Sequence, residues 1–179
     1  NYYVSKLLPL MKEAELHAIA NPLINIVIQG RHDTYPKRRG MMRVPQMMDM
    51  GINVALGLDC VMDPWYSMGT ADLLDVAHMA VHLAHMTSLA DMARLYTAVT
   101  DNGAKAMAIA DYGLKIGGPA DVVVLDARDA IEAIRLRPPR LKVIKAGRVI
   151  SESAPRRSVL SLDGRPEAVE PASYAPRLG

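Results

Sequence analysis

The sequence predicts an α/β protein with parallel strands. Residues 17–25 and 52–58 each read as a short strand, and the second run is apolar except for Asn53 and Gly57. A short apolar run bounded by turn residues suits a strand covered on both faces, as in a parallel sheet. Helix-spaced stretches lie between and after these runs, which is the order of βα units.

The first half begins with a predicted helix from Tyr3 to about Ala14, in which we expect Pro9 to cause a bend. In the strand at 17–25, Asn21-Pro22 is a break near its end, and a loop follows from Gln29 to Arg39. Val44 to Met50 is predicted as a short helix that tolerates Pro45 in its first turn and ends at Gly51. This helix leads into the strand at 52–58.

The next helix is predicted to start near Thr70 as its cap, with a buried stripe formed by Leu73, Leu74, Ala77, Val81 and Ala84. Residues 88–99 and 100–110 read as two further helices, opened by Ser88 and Thr100. Spacings of four and three place His78, His82 and His85 on one helix face, which permits a metal site. No acid or cysteine joins them, which favours an ordinary helix surface.

The pattern changes at Gly113. We predict a strand over 121–126 and a hairpin of 141–145 with 148–151 that turns at Ala146-Gly147. The residues after Ser151 are rich in proline, arginine and glutamate without a period, and we expect a loosely ordered tail or one that wraps a neighbour. The predicted segments are therefore 1–112, 113–151 and the tail 152–179.

Composition excludes several classes of protein. The chain is 50% hydrophobic and 22% charged, which is an ordinary globular balance. A net charge of +2 gives no reason to expect nucleic acid as a partner, and no apolar stretch approaches a membrane span. The single cysteine, Cys60, excludes an internal disulfide framework and fits a reducing, cytoplasmic compartment.

Asp59 is the first candidate for chemistry because it follows the apolar run at 52–58. The carboxyl ends of parallel strands are where α/β proteins bind ligands and carry catalytic groups. A polar and aromatic segment, Cys60-Val-Met-Asp-Pro-Trp-Tyr66, comes directly after it. The alternative is that Asp59 only caps a turn.

Four motifs together resemble one family. Asn21-Pro-Leu-Ile-Asn25, Gln29-Gly-Arg31, Asp33-Thr-Tyr-Pro-Lys-Arg-Arg-Gly40 and Asp63-Pro-Trp-Tyr66 are similar to the carboxyl-terminal half of bacterial cytosine deaminases, in the amidohydrolase superfamily. The resemblance covers about residues 1–150. It implies the last strands and helices of a (β/α)8 barrel, followed by part of a small β-sandwich subdomain.

The resemblance also implies a role for Asp59. In that family the aspartate ending the eighth barrel strand binds the catalytic metal and handles the proton of the attacking water, so Asp59 is the expected catalytic and metal-binding residue. One divalent metal ion is implied, with iron or zinc expected first. The family's other ligands, a His-x-His pair and two single histidines, have no counterpart among the five histidines here. We therefore expect this chain to be a segment of a longer protein that supplies them, and to be inactive alone.

Cys60 departs from cytosine deaminases, which carry a second aspartate at this position. A thiol is smaller and less polar than a carboxylate, so the hypothesis is that Cys60 borders the substrate and favours a 5-substituted cytosine such as 5-methylcytosine. The other interpretation is a buried small hydrophobe without substrate contact. Trp65 resembles the family's tryptophan beside the pocket and is the second candidate for substrate binding, or else core filler. Asp63 is expected to cap the turn before Pro64.

The implied reaction is hydrolytic deamination of cytosine or a 5-substituted cytosine, a small pyrimidine, by an enzyme that we expect to form a homo-oligomer. Other amino-substituted heterocycles, such as triazines or isoguanine, are the alternative substrates. A different class of function is a non-catalytic half-barrel or interaction remnant. Two strands cannot close a barrel and would leave sheet edges exposed.

Overall fold

The computed structural model describes residues 1–165. The chain divides into two compact units, of which the first is Asn1–Gly113 and the second begins at Leu114. Helices and strands are mixed in both, which confirms the predicted α/β class. Two finer points stay predictions: that the β-strands of the first unit belong to an eight-stranded barrel, and that the second unit belongs to a β-sandwich. None of the helices within residues 1–165 is long and apolar enough to cross a membrane.

The first unit contains a pair of parallel strands and the helices that precede and follow them along the chain. Its elements are α1 (Tyr2–Glu13), β1 (Ala18–Ala20), α2 (Pro22–Ile28), α3 (Val44–Asp49), β2 (Val54–Leu56), α4 (Leu73–Leu83), α5 (Leu89–Ala98) and α6 (Asp101–Ala106). β1 and β2 pair in parallel with Ala18 opposite Val54 and Ala20 opposite Leu56. All three residues of β2 are buried, as expected for a strand covered on both faces.

The predicted strand at 17–25 is wrong beyond residue 20. Pro22 begins α2 instead, at a position where its missing N–H and fixed φ are no disadvantage. Ile24 is then buried on a helix face rather than a strand face. A short apolar run cannot be assigned to helix or strand by periodicity alone, and here the proline decided between them.

The core of the first unit lies where α4 and α5 cover β2. Of the predicted α4 stripe, Leu74, Ala77 and Val81 are buried, whereas Leu73 is 37% exposed and Ala84, the residue after the helix, is half-buried. The predicted cap at Thr70 is wrong: α4 begins after Asp72, whose side chain accepts a hydrogen bond from the Leu74 N–H at 2.7 Å. A carboxylate at the N-cap also interacts favourably with the positive end of the helix dipole.

The two following helices differ in how they begin. Ser88 caps α5 as predicted, since its hydroxyl accepts from the Asp91 N–H at 3.1 Å. Thr100 precedes α6 without a side-chain cap, because its hydroxyl instead donates to the Tyr96 carbonyl at 2.9 Å. The prediction of a hydroxyl cap there is wrong, although the helix forms.

The second unit contains an antiparallel sheet and one helix within its described part. Its elements are β3 (Val122–Leu125), α7 (Ala130–Leu136), β4 (Arg140–Lys145) and β5 (Arg148–Glu152), with the strand order β3-β4-β5. The predicted hairpin is confirmed, and both turn residues, Ala146 and Gly147, have the positive φ of a type I′ turn. Half of the predicted tail, residues 166–179, lies outside the described residues.

Helix α7 was not predicted. It begins at a reciprocal cap, in which Asp129 accepts from the Glu132 N–H at 2.8 Å and Glu132 accepts from the Arg128 N–H at 2.7 Å. An acid followed three residues later by glutamate is a sequence signature of a helix start. That signal was present in Asp129-Ala-Ile-Glu132.

Candidate functional site

The carboxyl end of β2 forms a close junction with the end of β1. The Gly57 N–H donates to the Ala20 carbonyl at 2.9 Å, which extends the strand pairing by one bond. A Cβ at Gly57 would lie 2.6 Å from Oδ1 of Asn21, closer than real side chains approach. Glycine at 57 therefore lets the segment after β2 run directly beside the segment after β1.

Asp59 lies at this carboxyl end, three residues after Leu56. Its backbone has a φ of 63°, a left-handed conformation that aspartate tolerates better than most residues. Its side chain is exposed rather than buried in the first unit. The carboxylate is thus available to a ligand, in the position where the sequence predicted a catalytic and metal-binding residue.

Cys60 turns inward beside Asp59. The residue is 9% exposed and packs in a cluster with Ile24 and Tyr66, and its Sγ lies 3.8 Å from Oδ1 of Asp59. A hydrogen bond from the thiol to Asp63, together with burial and the negative charges of Asp63 and Asp59, raises the pKa of Cys60 to about 11. The side chain at this position is therefore a small neutral thiol at neutral pH.

Asp63 organises the turn that follows. Its Oδ1 accepts hydrogen bonds from the N–H groups of Trp65 and Tyr66, both at 2.9 Å. The thiol of Cys60, followed by the Tyr66 N–H, holds the pKa of this carboxyl below its ordinary value. This agrees with the expectation that Asp63 caps the turn before Pro64.

Trp65 lies in the same loop, with its side chain 66% exposed. It is not buried within the described first unit. Its carbonyl accepts a hydrogen bond from Nη2 of Arg31 at 3.4 Å. Of the three predicted site residues, Asp59 and Cys60 are in contact, whereas the indole of Trp65 faces solvent.

Arg31 lies in the loop between α2 and α3, which is held together by an ion pair between two of its own residues. Arg38 forms a two-bond ion pair with Asp33, with Nε–Oδ2 and Nη2–Oδ1 both at 2.6 Å. Arg38 lowers the pKa of Asp33 to about 2. Lys37 donates to the Arg31 carbonyl at 2.9 Å. Lys37 and Arg38 therefore anchor this loop through Arg31 and Asp33.

A metal site would need more ligands than this segment brings together. Nowhere in residues 1–165 do three or more His, Cys, Asp or Glu side chains cluster in a way that could hold a metal. The rings of His78 and His82 lie 4.8 Å apart, and Nδ1 of His82 is 2.8 Å from the His78 carbonyl, which fits the ordinary helix surface. The exposed carboxylate of Asp59 lies outside any such cluster of the described residues.

A depression of about 290 Å³ lies at the opposite, amino-terminal end of β2. It is lined by both polar and apolar residues, among them Asn53, Arg94, Asn102 and Lys105. Asn102 donates to the Val54 carbonyl at 2.8 Å and Asn53 donates to the Asn102 carbonyl at 3.0 Å. This polar network ties α6 to β2, and we assign it a structural role because ligands of α/β folds bind at the carboxyl ends of strands.

Comparison with known proteins identifies relatives of the chain. The structure of 5-methylcytosine deaminase from Klebsiella pneumoniae liganded with 5-fluorocytosine is 39% identical, with a TM-score of 0.83, and the match covers 87% of this chain and 38% of that chain. Pterin deaminase from Rhizobium rhizogenes is 30% identical over 148 residues, covering 82% of this chain and 33% of that protein. N-isopropylammelide isopropyl amidohydrolase from a Pseudomonas species is 31% identical over 110 residues, covering 61% of this chain and 27% of that protein.

The chain spans between 27% and 38% of the length of these relatives. Residues 1–152 match the family described as Amidohydrolase family, which is most of the 179-residue sequence. The chain belongs to the amidohydrolase family.

Proposed function

We propose that this chain is the carboxyl-terminal part of a metal-dependent aminohydrolase that deaminates cytosine or a 5-substituted cytosine, giving the uracil and ammonia. The observation that carries the proposal is the pair Asp59 and Cys60, an exposed carboxylate beside a buried thiol at the carboxyl end of a buried strand. The 39% identity to a 5-methylcytosine deaminase supports it.

The architecture that goes with this function is a barrel completed by residues outside the chain. Residues 1–112 would contribute the last βα units of a (β/α)8 barrel, 113–151 a segment of a β-sandwich, and 152–179 a tail. The parallel pairing of β1 with β2 and the antiparallel order β3-β4-β5 support this division.

Asp59 would be one ligand of the metal, iron or zinc, with the remaining ligands supplied from outside this chain. The metal, when bound, would supply a water of lowered pKa for attack on the ring carbon that carries the amino group. The Asp59 carboxylate would accept a proton from that water and deliver it toward the departing ammonia. Its exposed position leaves the carboxylate accessible for these two tasks.

Cys60 would set the preference among pyrimidines. A neutral thiol leaves more room than a carboxylate and adds no charge to the wall of the pocket, so a methyl group on the neighbouring ring carbon would be accepted. The packing of Cys60 against Ile24 and Tyr66 supports an apolar environment there. The same packing is also what a core residue without substrate contact would show, so substitution at Cys60 decides between the two interpretations.

A second candidate is deamination of another nitrogen heterocycle. The similarity to a pterin deaminase and to an N-isopropylammelide amidohydrolase favours it, since both names denote substrates other than cytosine. A panel of cytosine, 5-methylcytosine, a pterin and an aminotriazine, assayed for ammonia release, separates the candidates. Turnover of the pterin or the triazine without turnover of either cytosine would replace the first proposal with this one.

A non-catalytic half-barrel is the third alternative. It predicts that the coding sequence upstream of Asn1 contains no strand with a His-x-His pair in frame. Reading that sequence is a direct test, because finding the pair and two later single histidines would supply the ligands that Asp59 lacks. Homo-oligomerisation and a cytoplasmic location belong to the proposal as well, the latter supported by a single free cysteine.

A further inference from the structure

The peptide unit of Trp65 is held from two sides. Its N–H donates to Oδ1 of Asp63 at 2.9 Å, and its carbonyl accepts from Nη2 of Arg31 at 3.4 Å. Asp63 lies two residues away in the same loop, whereas Arg31 lies 34 residues earlier, in the loop that follows α2. Trp65 is therefore fixed both by its own turn and by the loop that follows the neighbouring strand.

Both supports are themselves held in place. Arg31 lies in the loop closed by the Asp33–Arg38 ion pair, and its carbonyl accepts from Lys37 at 2.9 Å. On the other side, the Asp63 N–H donates to the Tyr66 carbonyl at 3.1 Å, and the Met62 N–H donates to the Met68 carbonyl at 2.9 Å. The loop around Trp65 is thus a hydrogen-bonded turn rather than a free segment.

The neighbouring side chain points the opposite way from the indole. Tyr66 is 9% exposed and packs on Cys60 and Ile24, while Trp65 is 66% exposed. The buried Tyr66 side chain anchors the turn to Cys60 and Ile24, and the indole of Trp65 lies on the solvent side. A large aromatic ring on a fixed backbone needs only two side-chain torsions to be set, which makes it a suitable surface for a flat ligand.

We infer that Arg31 and Asp63 are positioning residues that hold the indole of Trp65 against the planar nitrogen heterocycle of the substrate. This rests on the proposed function for the identity of the ligand. The geometric part, a doubly held Trp65, rests only on the hydrogen bonds described above. Neither residue would touch the substrate.

Arg31→Met tests the support on the carbonyl side, because it keeps the length of the side chain and removes the donor. Arg31→Lys keeps a charged donor and should restore most of what Arg31→Met loses. The matched control is Arg39→Met, since Arg39 donates to the Arg38 carbonyl at 3.1 Å within the same loop and not to Trp65. On the amide side, Asp63→Asn keeps an acceptor oxygen, whereas Asp63→Ala removes it.

The first readout is the fluorescence anisotropy of the Trp65 indole without substrate. Trp65 is the single tryptophan of the 179-residue sequence, and subtraction of a Trp65→Phe variant isolates its signal in any longer protein. We expect Arg31→Met and Asp63→Ala to lower the anisotropy and to increase quenching by acrylamide. Arg31→Lys, Asp63→Asn and Arg39→Met should stay near the unaltered protein.

The second readout is steady-state deamination. We expect Arg31→Met to lower kcat/KM by about tenfold, mainly through KM, because an unfixed indole orients the substrate less well. If anisotropy and KM are unchanged in Arg31→Met and Asp63→Ala while the enzyme still deaminates its substrate, the positioning inference fails and the proposed function stands. If the indole loosens but no cytosine is deaminated by any form, the proposed function fails, and with it the substrate role assigned to Trp65.

Discussion

The sulfur of Cys60 lies 3.8 Å from Oδ1 of Asp59, and the two side chains take opposite environments. Asp59 is exposed, whereas Cys60 is buried against Ile24 and Tyr66. The proposed catalytic carboxylate and the proposed specificity residue are therefore in direct contact. A substitution at Cys60 is expected to change substrate preference first. A substitution that introduces a charge is expected to affect Asp59 as well.

Cys60→Asp should shift preference from 5-methylcytosine toward cytosine. A carboxylate is larger and would bring a third negative charge close to Asp59 and Asp63, so a ring methyl group would be excluded. The ratio of kcat/KM for the two bases should change by about 10-fold or more, which is the usual effect of one methyl group on the discrimination between two substrates. Cys60→Ser is the matched control, because it adds polarity without bulk and should shift the ratio less.

An unchanged ratio in Cys60→Asp, in protein whose melting shows that it is folded, would mean that Cys60 does not border the substrate. Cys60 would then be a buried small hydrophobe, as the alternative interpretation holds.

Gly57→Ala should disturb the junction between the two strand ends. The added methyl group would lie 2.6 Å from Oδ1 of Asn21 and 3.1 Å from Cγ2 of Ile19, so either the Asn21 side chain or the segment that leads to Asp59 must shift. We expect a loss of about 1–3 kcal/mol in the free energy of unfolding, as for overpacked sites, together with a lower kcat/KM. Urea unfolding measures the first quantity and deamination the second.

The double variant Gly57→Ala with Asn21→Ala identifies the cause of that loss. Removing the Asn21 side chain removes the closest contact. Gly57→Ala should therefore lower the stability less in the Asn21→Ala background than in the unaltered protein. Simple additivity of the two changes would show that the clash with Asn21 is not what the alanine introduces.

The ion pair between Asp33 and Arg38 predicts a pH-dependent contribution to stability. Arg38 lowers the pKa of Asp33 from 3.8 to about 2 in the folded protein, so the folded state favours the ionised carboxylate. The contribution is fully present above pH 3.8 and is lost as the pH falls through about 2. The difference in Tm between the unaltered protein and Asp33→Asn should therefore be constant from pH 7 to about 4 and shrink below that.

Asp49→Asn provides a comparison for this series, since Asp49 pairs with Arg94 at 2.7 Å and its carboxylate is more exposed than that of Asp33. A difference for Asp33→Asn that stays the same down to pH 2 would show that Asp33 is not held ionised by Arg38.

The sequence was sufficient to predict β2 and the place of Asp59 because the apolar run at 52–58 is short and is bounded by Gly51 and Asp59, and this length and these flanking residues favour a strand over a helix. It was not sufficient for residues 22–28, because their apolar character suits a helix and a strand equally well. Only Pro22, a residue favoured in the first turn of a helix, indicates the helix. Helix α7 was missed although Asp129 and Glu132 carried the capping signal.

The supports of Trp65 could not have been predicted in the same way. Asp63 bonds to residues two and three positions ahead, which a local pattern can suggest. Arg31 reaches the Trp65 carbonyl across 34 residues, and that contact depends on how two loops meet at the end of a parallel strand pair. Local propensity carries no information about such a contact.

Asp59 is proposed to transfer the proton of the attacking water in the deamination of a cytosine. The most direct test is ammonia release from 5-methylcytosine and cytosine by the protein encoded by the complete reading frame that contains this chain, compared with its Asp59→Asn and Asp49→Asn variants. We predict turnover of at least one of the two bases, a loss of about 10²–10⁴-fold in kcat for Asp59→Asn, and little change for Asp49→Asn. Absence of turnover with both bases, or full activity of folded Asp59→Asn, would contradict the claim.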